Sequence, residues 1–237
     1  MCFHFSITQQ MSTLEQLLNV EWQGQEWQPV YHANGFSFLA LPVITAAAPQ
    51  QLQLMNWGLI PSWIKSKEEA DKIKTQTLNA RSETAFEKPS FRGSMLRQRC
   101  LIPADGFYEW MHLNGKKYPH YIRFRNQEPF CMGGIYAQWV DRSTGEILSG
   151  FSILTTTANP LLEKIHNLKK RMPVIIPANQ TENWLNVDLS RDAIEAFFKP
   201  YPAVEMEAFP VSKLISSRSD NSNVPEVRQP FIYEALG

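Results

Sequence analysis

The amino-acid sequence predicts a single α+β domain, with a curved, mostly antiparallel β-sheet that is barrel-like in its core and short helices at its flanks. Many short β-prone segments are separated by turn residues, and only a few helical segments lie between them. The chain has 237 residues, of which 43% are hydrophobic and 19% are charged. This is enough for one complete hydrophobic core, so we expect one domain over residues 1–237.

The N-terminal third predicts strands and two helices. A capping-box pattern, Ser12 followed three residues later by Glu15, predicts a helix that ends near Asn19. Apolar β-prone runs and period-two alternation predict strands, and a polar run predicts a helix at the surface. The predicted strands cover residues 2–8, 36–44 and 51–54, and the surface helix covers residues 65–74.

The remainder predicts two hairpins, more short helices and a tail. Turn signals lie at residues 114–115 and 144–145, and Asn159 followed by Pro160 predicts the start of a helix. The segment after Ser212 is rich in Ser and Asn, which predicts a polar, extended surface tail over residues 213–237. The predicted strands cover residues 99–110, 118–125, 130–140, 147–156 and 172–176, and the short helices cover residues 182–186 and 191–198.

Charge is balanced over the whole chain but not along it. The formal net charge is zero, which argues against a protein that coats nucleic acid through bulk charge. Residues 65–125 nevertheless contain 13 Lys or Arg against 7 Asp or Glu. This local excess is compatible with an anion-binding face and equally with an unevenly charged solvated surface.

The three cysteines, Cys2, Cys100 and Cys131, form no CxxC pair, and their odd number argues against a disulfide framework. The sequence has no signal peptide and no stretch near the ~20 apolar residues of a membrane span. Cys2 and His4 lack a second pair that would complete a zinc site. We expect a reduced, cytoplasmic, monomeric protein without metal, cofactor or membrane contact.

Cys2 offers the most distinctive chemistry. Removal of Met1 would place a free α-amine and a thiol on adjacent carbons. An α-amine titrates near ~8 and a lysine near ~10.4, so much more of the α-amine is neutral at pH 7. Such an amine attacks an aldehyde to give an imine, onto which the thiol can close as a five-membered thiazolidine ring. The alternative is a buried cysteine that serves as a small hydrophobic residue.

Residues 79–83 form a second candidate segment. Asn79 can hold an amine or a hydroxyl in place without being a base, and Arg81 can clamp a phosphate with its planar guanidinium. The alternative is a turn or helix cap in which Arg81 pairs with Glu83. The residues themselves leave both interpretations open.

Two further residues have the chemistry for proton transfer. Glu109 lies among aromatic residues, which would raise the pKa of its carboxyl, and Trp110 offers a flat face on which a base can stack. The alternative is a strand with a core tryptophan and an outward glutamate. His166 ends a predicted helix and can move a proton near neutral pH, or can simply interact with the helix dipole.

Several motifs follow one another along the chain. They are Met1-Cys2, residues 57–63 (WGLIPSW), residues 79–84 (NARSET), Phe91-Arg92, residues 99–110 (RCLIPADGFYEW), residues 154–159 (LTTTAN), and His166 ahead of residues 171–175 (RMPVI). In this order they resemble the SRAP family, the "SOS response-associated peptidase" family of abasic-site processing proteins. The resemblance covers residues 2 to about 215.

The resemblance implies that Cys2, after removal of Met1, forms a covalent thiazolidine cross-link with the ring-opened sugar of an abasic site in single-stranded DNA. It implies that Asn79 positions the Cys2 end, that Glu109 is the active-site carboxylate and that His166 is the proton-transfer histidine. A closed ring cannot drive the β-elimination that an open imine would. The cross-link would therefore shield the damaged strand from cleavage.

The resemblance also implies a positively charged DNA groove in which Arg81, Trp110 and Arg171 hold the backbone and neighbouring bases. This chain departs from the family in two places. Where the family has Gly-Arg after the cysteine, this chain has Phe-His, and a mostly neutral His4 should contact phosphate more weakly. Residues 167–170 also separate His166 from the Arg-Met-Pro run, a longer spacing than the family often has.

Two other functions remain open. An N-terminal nucleophile with a nearby carboxylate and histidine can also act as a cysteine peptidase, on other peptides or only on its own Met1-Cys2 bond. The family is accordingly described as hydrolase or protease, and as a possible lyase. A third function is non-covalent binding of single-stranded DNA, with Trp110 as a stacking platform and cations along the groove.

Overall fold

A computed structural model of the chain describes residues 2–236. Short 3-10 turns connect the helices and strands within this range. The strands are β1 His4–Ile7, β2 Glu21–Trp22, β3 Val30–Asn34, β4 Ala40–Thr45, β5 Ala48–Trp57, β6 Asn79–Arg81, β7 Arg99–Ala104, β8 Gly106–Leu113, β9 Lys116–Phe124, β10 Phe130–Val140, β11 Ile147–Thr157, β12 Arg171–Pro173, β13 Ile175–Ile176 and β14 Met206–Pro210. The helices are α1 Met11–Leu18, α2 Lys67–Lys74, α3 Arg92–Met95, α4 Pro160–Ile165, α5 Thr181–Leu185 and α6 Arg191–Glu195.

The strands form two sheets in which most neighbours are antiparallel. One sheet has five strands in the order β14-β9-β8-β1-β3. In the other sheet, β11, β10, β7, β4 and β5 follow one another, and β5 then pairs in parallel with β11. This last pairing closes the five strands into a barrel. The predicted α+β fold with a barrel-like core is thereby confirmed.

The barrel closes where β11 approaches β5 at Gly150. A Cβ atom on Gly150 would lie 2.4 Å from the carbonyl oxygen of Gly58, so only glycine permits this close approach. Next to it, the buried Trp57 donates its indole N–H to the carbonyl of Leu78 at 2.9 Å. This hydrogen bond fixes the residue that immediately precedes Asn79, and so ties β6 to the closed barrel.

The five-stranded sheet is covered on both faces. Phe5, Phe107 and Ile122 belong to the main hydrophobic core on the barrel side. A second, smaller cluster lies on the other face and consists of Tyr108, Tyr121, Val211, Ile215 and Val227. Because side chains alternate along a strand, Glu109 shares the face of Phe107 and Trp110 shares the face of Tyr108. We call these the barrel face and the tail face of the sheet.

Helix α1 differs from its prediction at the N-terminus. The capping box at Ser12 is wrong, because the helix begins at Met11 and the preceding Gln10 makes no side-chain cap. Because the helix begins at Met11, Ser12 lies inside the first turn and is not the N-cap residue. Met11 and Leu14 are the buried residues of this helix. The expected end is correct, since Asn19 adopts the left-handed conformation with φ of 52°.

Residues 99–110 do not form the single strand that was predicted. They form β7 of the barrel and β8 of the five-stranded sheet, with a break at Asp105. The Asp105 carboxylate accepts hydrogen bonds from the backbone N–H of Thr8 at 2.5 Å and from its hydroxyl at 2.7 Å. This contact fixes the point at which the chain passes from one sheet to the other.

Other elements also differ in detail. The strand predicted for residues 36–44 is shorter, because a 3-10 turn occupies Gly35–Ser37 and β4 begins only at Ala40. The strand predicted for residues 172–176 is divided into β12 and β13, which pair with β11 and β10 respectively. Strand β14, which the sequence analysis missed, pairs along β9.

The C-terminal segment is not the extended polar tail that was expected. It makes 3-10 turns that bury Ile215 and Val227 against the tail face. Arg228 lies over the ring of Tyr31, with 5.1 Å to the ring centroid, and 3.6 Å from the carboxylate of Asp105. A few apolar residues spaced among Ser and Asn are therefore enough to dock the segment onto the domain.

Candidate functional site

The predicted reactive residues come from four different elements. Cys2 precedes β1, Asn79 begins β6, Glu109 lies in β8, and His166 is the C-cap residue of α4. Glu109 contacts His166, and its charge also acts on the thiol of Cys2. Asn79 joins this region through β11, which pairs with β6 on one side and β12 on the other.

Glu109 and His166 form a buried acid–base pair. The carboxylate Oε1 of Glu109 lies 3.5 Å from Nδ1 of His166, and the glutamate is only 4% exposed. Burial raises the pKa of Glu109 to about 7 and lowers the pKa of His166 to about 4, since both charged forms lose hydration. At neutral pH the carboxyl group is therefore the one that exchanges its proton, and the imidazole is neutral.

The tautomer of His166 follows from its main-chain contact. Its Nδ1 lies 2.9 Å from the carbonyl oxygen of Arg171, and a carbonyl can only accept a hydrogen bond. Nδ1 therefore carries the proton in the neutral ring, and Nε2 carries the lone pair. Rather than a proton donor at pH 7, His166 is an oriented base beside a carboxyl group that can supply the proton.

Asn79 is buried without hydrogen-bond partners. It is 8% exposed, and within residues 2–236 neither its amide nitrogen nor its amide oxygen has a hydrogen-bond partner. Leaving a buried polar group unsatisfied costs about 1–3 kcal/mol. An apolar side chain at this position would avoid that cost. A buried polar side chain that is kept in spite of the cost is typical of a position that binds a ligand.

Cys2 is buried in the structure. In the chain that still carries Met1, its exposed fraction is 0%, and its thiol lies 3.8 Å from the carbonyl oxygen of His4. Burial, with a further contribution from the charge of Glu109, raises the pKa of the thiol far above its ordinary value. The sulfur is therefore a neutral thiol in this state. The alternative interpretation of Cys2 as a buried hydrophobic residue describes its present surroundings.

The two arginines have different surroundings. Arg81 is exposed at the end of β6. Arg171 is buried, and its guanidinium holds both carboxylate oxygens of Glu83 and the carbonyl of Thr155. The interpretation in which Arg81 pairs with Glu83 is thus not the arrangement found, because Arg171 takes the carboxylate. A DNA contact by Arg171 stays a prediction, and its visible contacts position β12 and, through its carbonyl, His166.

Trp110 and His4 lie together on the tail face of the five-stranded sheet. Their rings are 4.8 Å apart, and the Trp110 indole N–H donates to the hydroxyl of Ser216 at 3.2 Å. Burial lowers the pKa of His4 to about 3, so that it is neutral and contributes no positive charge. Glu109, which directly precedes Trp110 in β8, points to the opposite face. The DNA contacts predicted for Trp110 and His4 remain predictions.

The sequence analysis missed the residue that holds the loop after His166. Asn167 accepts a hydrogen bond from the backbone N–H of His112 at 3.1 Å and donates one to its carbonyl at 2.8 Å. The backbone N–H of Lys170 closes the turn on the carbonyl of His166 at 2.7 Å. Residues 167–170 therefore fix His166 against β8, and no local pattern indicates this because His112 is 55 residues away in the sequence.

Within the described part of the chain, no group of three or more His, Cys, Asp or Glu side chains is placed to hold a metal ion. Among the helices of residues 2–236, none combines the length and the hydropathy needed to cross a membrane.

A closed β-barrel beside a second sheet, with buried cysteine, glutamate, histidine and asparagine side chains contributed by separate elements, defines the class of this domain. The family model described as SOS response associated peptidase (SRAP) matches residues 1–218, and the chain belongs to this family.

Similar proteins extend over nearly the whole chain. The abasic site processing protein YoqW of Bacillus subtilis (strain 168) is 36% identical over 227 residues, which cover 94% of this chain and 97% of that protein. The abasic site processing protein YoaM of the same organism is 38% identical over 199 residues, which cover 83% and 84%. A crystal structure of a protein from Bacteroides thetaiotaomicron is 36% identical and superposes with a TM-score of 0.91, covering 98% of this chain and 100% of that one.

Proposed function

We propose that this chain processes abasic sites in DNA, and that it does so by forming a covalent thiazolidine cross-link between Cys2 and the ring-opened sugar in single-stranded DNA. The observation that carries this proposal is the buried Glu109, whose pKa is about 7, at 3.5 Å from a neutral and oriented His166 and close to Cys2. The names of the similar Bacillus proteins, both abasic site processing proteins, support an abasic site as the substrate.

The proposed reaction begins with opening of the sugar ring to its aldehyde. Protonated Glu109 supplies the proton that the ring oxygen needs, and neutral His166 accepts the hydroxyl proton through Nε2. A general acid and a general base of this kind each contribute about 10²–10⁴-fold in rate. In this assignment His166 is the base and Glu109 is the acid, because an imidazole with a pKa of about 4 is almost entirely unprotonated at pH 7.

The covalent steps balance without any further reagent. The α-amine of Cys2, freed by removal of Met1, attacks the aldehyde carbon and releases one water to give an imine. The thiol then adds to the imine carbon, so that a C–S bond forms and the thiol proton passes to the nitrogen. In the chain that still carries Met1, burial raises the pKa of the Cys2 thiol, so the sulfur retains the proton that this addition transfers to the nitrogen. Because the thiolate is the attacking form in both reactions, removal of Met1 and deprotonation of the thiol are required for cross-linking and for peptidase activity alike.

Asn79 and the exposed Arg81 supply the binding contacts in this proposal. The amide oxygen and the amide nitrogen of Asn79, which have no hydrogen-bond partner within residues 2–236, can take the α-amine and a sugar hydroxyl, and Arg81 at the surface can take a phosphate. Phe36 is 53% exposed and packs on Phe3, with 5.2 Å between ring centroids. It gives an unpaired base an aromatic face beside the N-terminus.

The test uses the full chain and a single-stranded oligonucleotide with one abasic site, followed by denaturation and mass measurement. We expect a product heavier by the mass of the oligonucleotide less one water. Cys2→Ala and a chain that retains Met1 should give none, while Cys100→Ala, a matched change of another buried cysteine, should react normally.

Two results contradict the proposal. If Cys2→Ala forms as much denaturation-resistant product as the unaltered chain, Cys2 is not the nucleophile. If all DNA is released on denaturation, the chain is a non-covalent binder. Cleavage of a test peptide in the absence of DNA, lost in Cys2→Ala, would instead support the peptidase.

A further inference from the structure

A hydrogen-bonded chain of three side chains runs across the tail face to the C-terminal segment. Nδ1 of His4 lies 2.7 Å from Nε2 of His32, and Nδ1 of His32 lies 2.7 Å from the hydroxyl of Ser222. Ser222 is 190 residues from His32 in the sequence, so the contact depends on docking of the C-terminal segment.

Three neighbouring residues hold the same segment in place. The side-chain oxygen of Asn223 accepts the backbone N–H groups of Tyr31 at 2.7 Å and of His32 at 3.2 Å. Ser216 accepts the indole N–H of Trp110, and Arg228 lies beside Asp105. We call Ser216, Ser222, Asn223 and Arg228 the C-terminal clamp. Three of its four members lie beyond the part of the chain that matches the family model.

The two imidazoles of this hydrogen-bonded series are neutral, because burial lowers the pKa of His4 to about 3 and that of His32 to about 4. A neutral imidazole has one donor and one acceptor nitrogen, so the tautomer of each ring determines that of the next. The direction in which the Ser222 hydroxyl donates or accepts is thus coupled to the tautomer and orientation of His4. The main-chain carbonyl of His4 in turn faces the thiol of Cys2 at 3.8 Å.

We propose that the C-terminal clamp, acting through Ser222, His32 and His4, is a positioning group that fixes the N-terminal strand so that Cys2 meets the abasic sugar. This rests on the proposed cross-linking function. His4 and Trp110 serve in it as links between the clamp and the site rather than as contacts to DNA. The clamp residues are positioning residues and touch no reacting atom.

The experiment compares Ser222→Ala with Ser222→Thr and with Ser219→Ala. Ser222→Ala removes the hydroxyl, Ser222→Thr keeps it, and Ser219 is an exposed serine in the same segment whose hydroxyl lies 3.4 Å from that of Ser217. Because one neutral hydrogen bond is lost, we expect cross-linking by Ser222→Ala to slow about twofold to tenfold, with the other two variants within about 1.5-fold of the unaltered chain. Affinity for the same strand without the abasic site should not change.

A second measurement does not depend on the reaction. The ¹⁵N resonances of the imidazoles report the tautomers of His4 and His32, and both should shift in Ser222→Ala and be retained in Ser222→Thr. If the resonances shift but the cross-linking rate does not, the clamp does not position Cys2 and this inference is wrong. If they do not shift at all, the hydrogen-bonded chain itself is wrong. If the unaltered chain forms no cross-link, the proposed function fails, and the inference falls with it.

Discussion

The two faces of the five-stranded sheet differ in how well the surroundings of their buried polar groups stabilise them. On the tail face, Tyr108 donates its hydroxyl to the carbonyl of Tyr31 at 2.7 Å, and the hydroxyls of Ser6 and Tyr121 bond at 2.8 Å. On the barrel side of the site, Glu109 has a raised pKa, and the buried amide of Asn79 on the neighbouring sheet has no hydrogen-bond partner among the residues that the structure describes. Satisfied polar groups stabilise the fold, and groups kept at a free-energy cost indicate where a substrate binds.

The largest effect on the rate of cross-linking should come from substitution of Glu109, whose carboxyl group lies on the barrel face. Glu109→Gln keeps the shape but cannot exchange a proton, so we expect the rate of cross-linking to fall about 10²- to 10⁴-fold. Single-turnover kinetics with the abasic oligonucleotide measure this rate. A variant that reacts at the normal rate would remove Glu109 from proton transfer.

The same substitution should stabilise the protein at alkaline pH. The folded pKa of about 7 is raised above the ordinary value, so ionisation of Glu109 destabilises the folded state as pH rises from about 4.5 through 7. Relative to the unaltered chain, Glu109→Gln should gain about 1–3 kcal/mol in free energy of unfolding at pH 8 and little at pH 4. Urea unfolding at both pH values measures the difference. Equal gains at both pH values would contradict a raised pKa.

Asn79 tests whether an unpartnered buried amide belongs to the reaction. Asn79→Ala removes two polar atoms that have no hydrogen-bond partner within residues 2–236, and because relief of their desolvation cost opposes the packing lost with the side chain, the free energy of unfolding should change by less than about 1 kcal/mol. The cross-linking rate should fall about tenfold or more, because the amine and the sugar lose their positioning contacts. A loss of stability without a loss of rate would reverse the interpretation and make Asn79 structural.

A substitution on the tail face should lower the free energy of unfolding and have the smallest effect on the cross-linking rate. Tyr121→Phe removes a buried hydroxyl and leaves Ser6 without its 2.8 Å partner, which should cost about 1–2 kcal/mol of stability. The cross-linking rate should stay within about twofold. Thermal or urea unfolding and the same kinetic assay separate the two quantities. A tenfold slower reaction would mean that the Ser6–Tyr121 hydrogen bond, and not only the C-terminal clamp on the same face, contributes to positioning Cys2.

Features that depend on neighbours in sequence were predictable. Asn159 caps α4 by accepting the N–H of Leu162 at 2.9 Å, and the hairpin of β10 and β11 has the predicted turn, with Gly145 at φ of 76°. These are local preferences that the residue types themselves express. The reactive residues were identified through the motifs, and the raised pKa expected for Glu109 from its aromatic neighbours agrees in direction with the effect of its burial in the structure.

Features that depend on distant partners could not be read from the sequence. The strand break at Asp105 is set by Thr8, which is 97 residues away, and docking of the C-terminal segment is set by a histidine 190 residues from Ser222. The burial of Cys2 likewise arises from the assembled core. A pattern of residue types contains no information on which of many serines or aspartates finds such a partner.

Strand β11 has a consequence for how this site can change. Thr155 pairs with Arg81 of β6 on one side and with Pro173 of β12 on the other, and Arg171 bonds to its carbonyl. One rigid strand therefore sets the width between the elements that carry the two arginines. A bulkier substrate cannot widen this gap without breaking main-chain hydrogen bonds. New ligand preferences in homologous proteins should consequently arise from exchanged side chains along these strands, while the distant hairpin turn at residues 141–146 is free to vary in length.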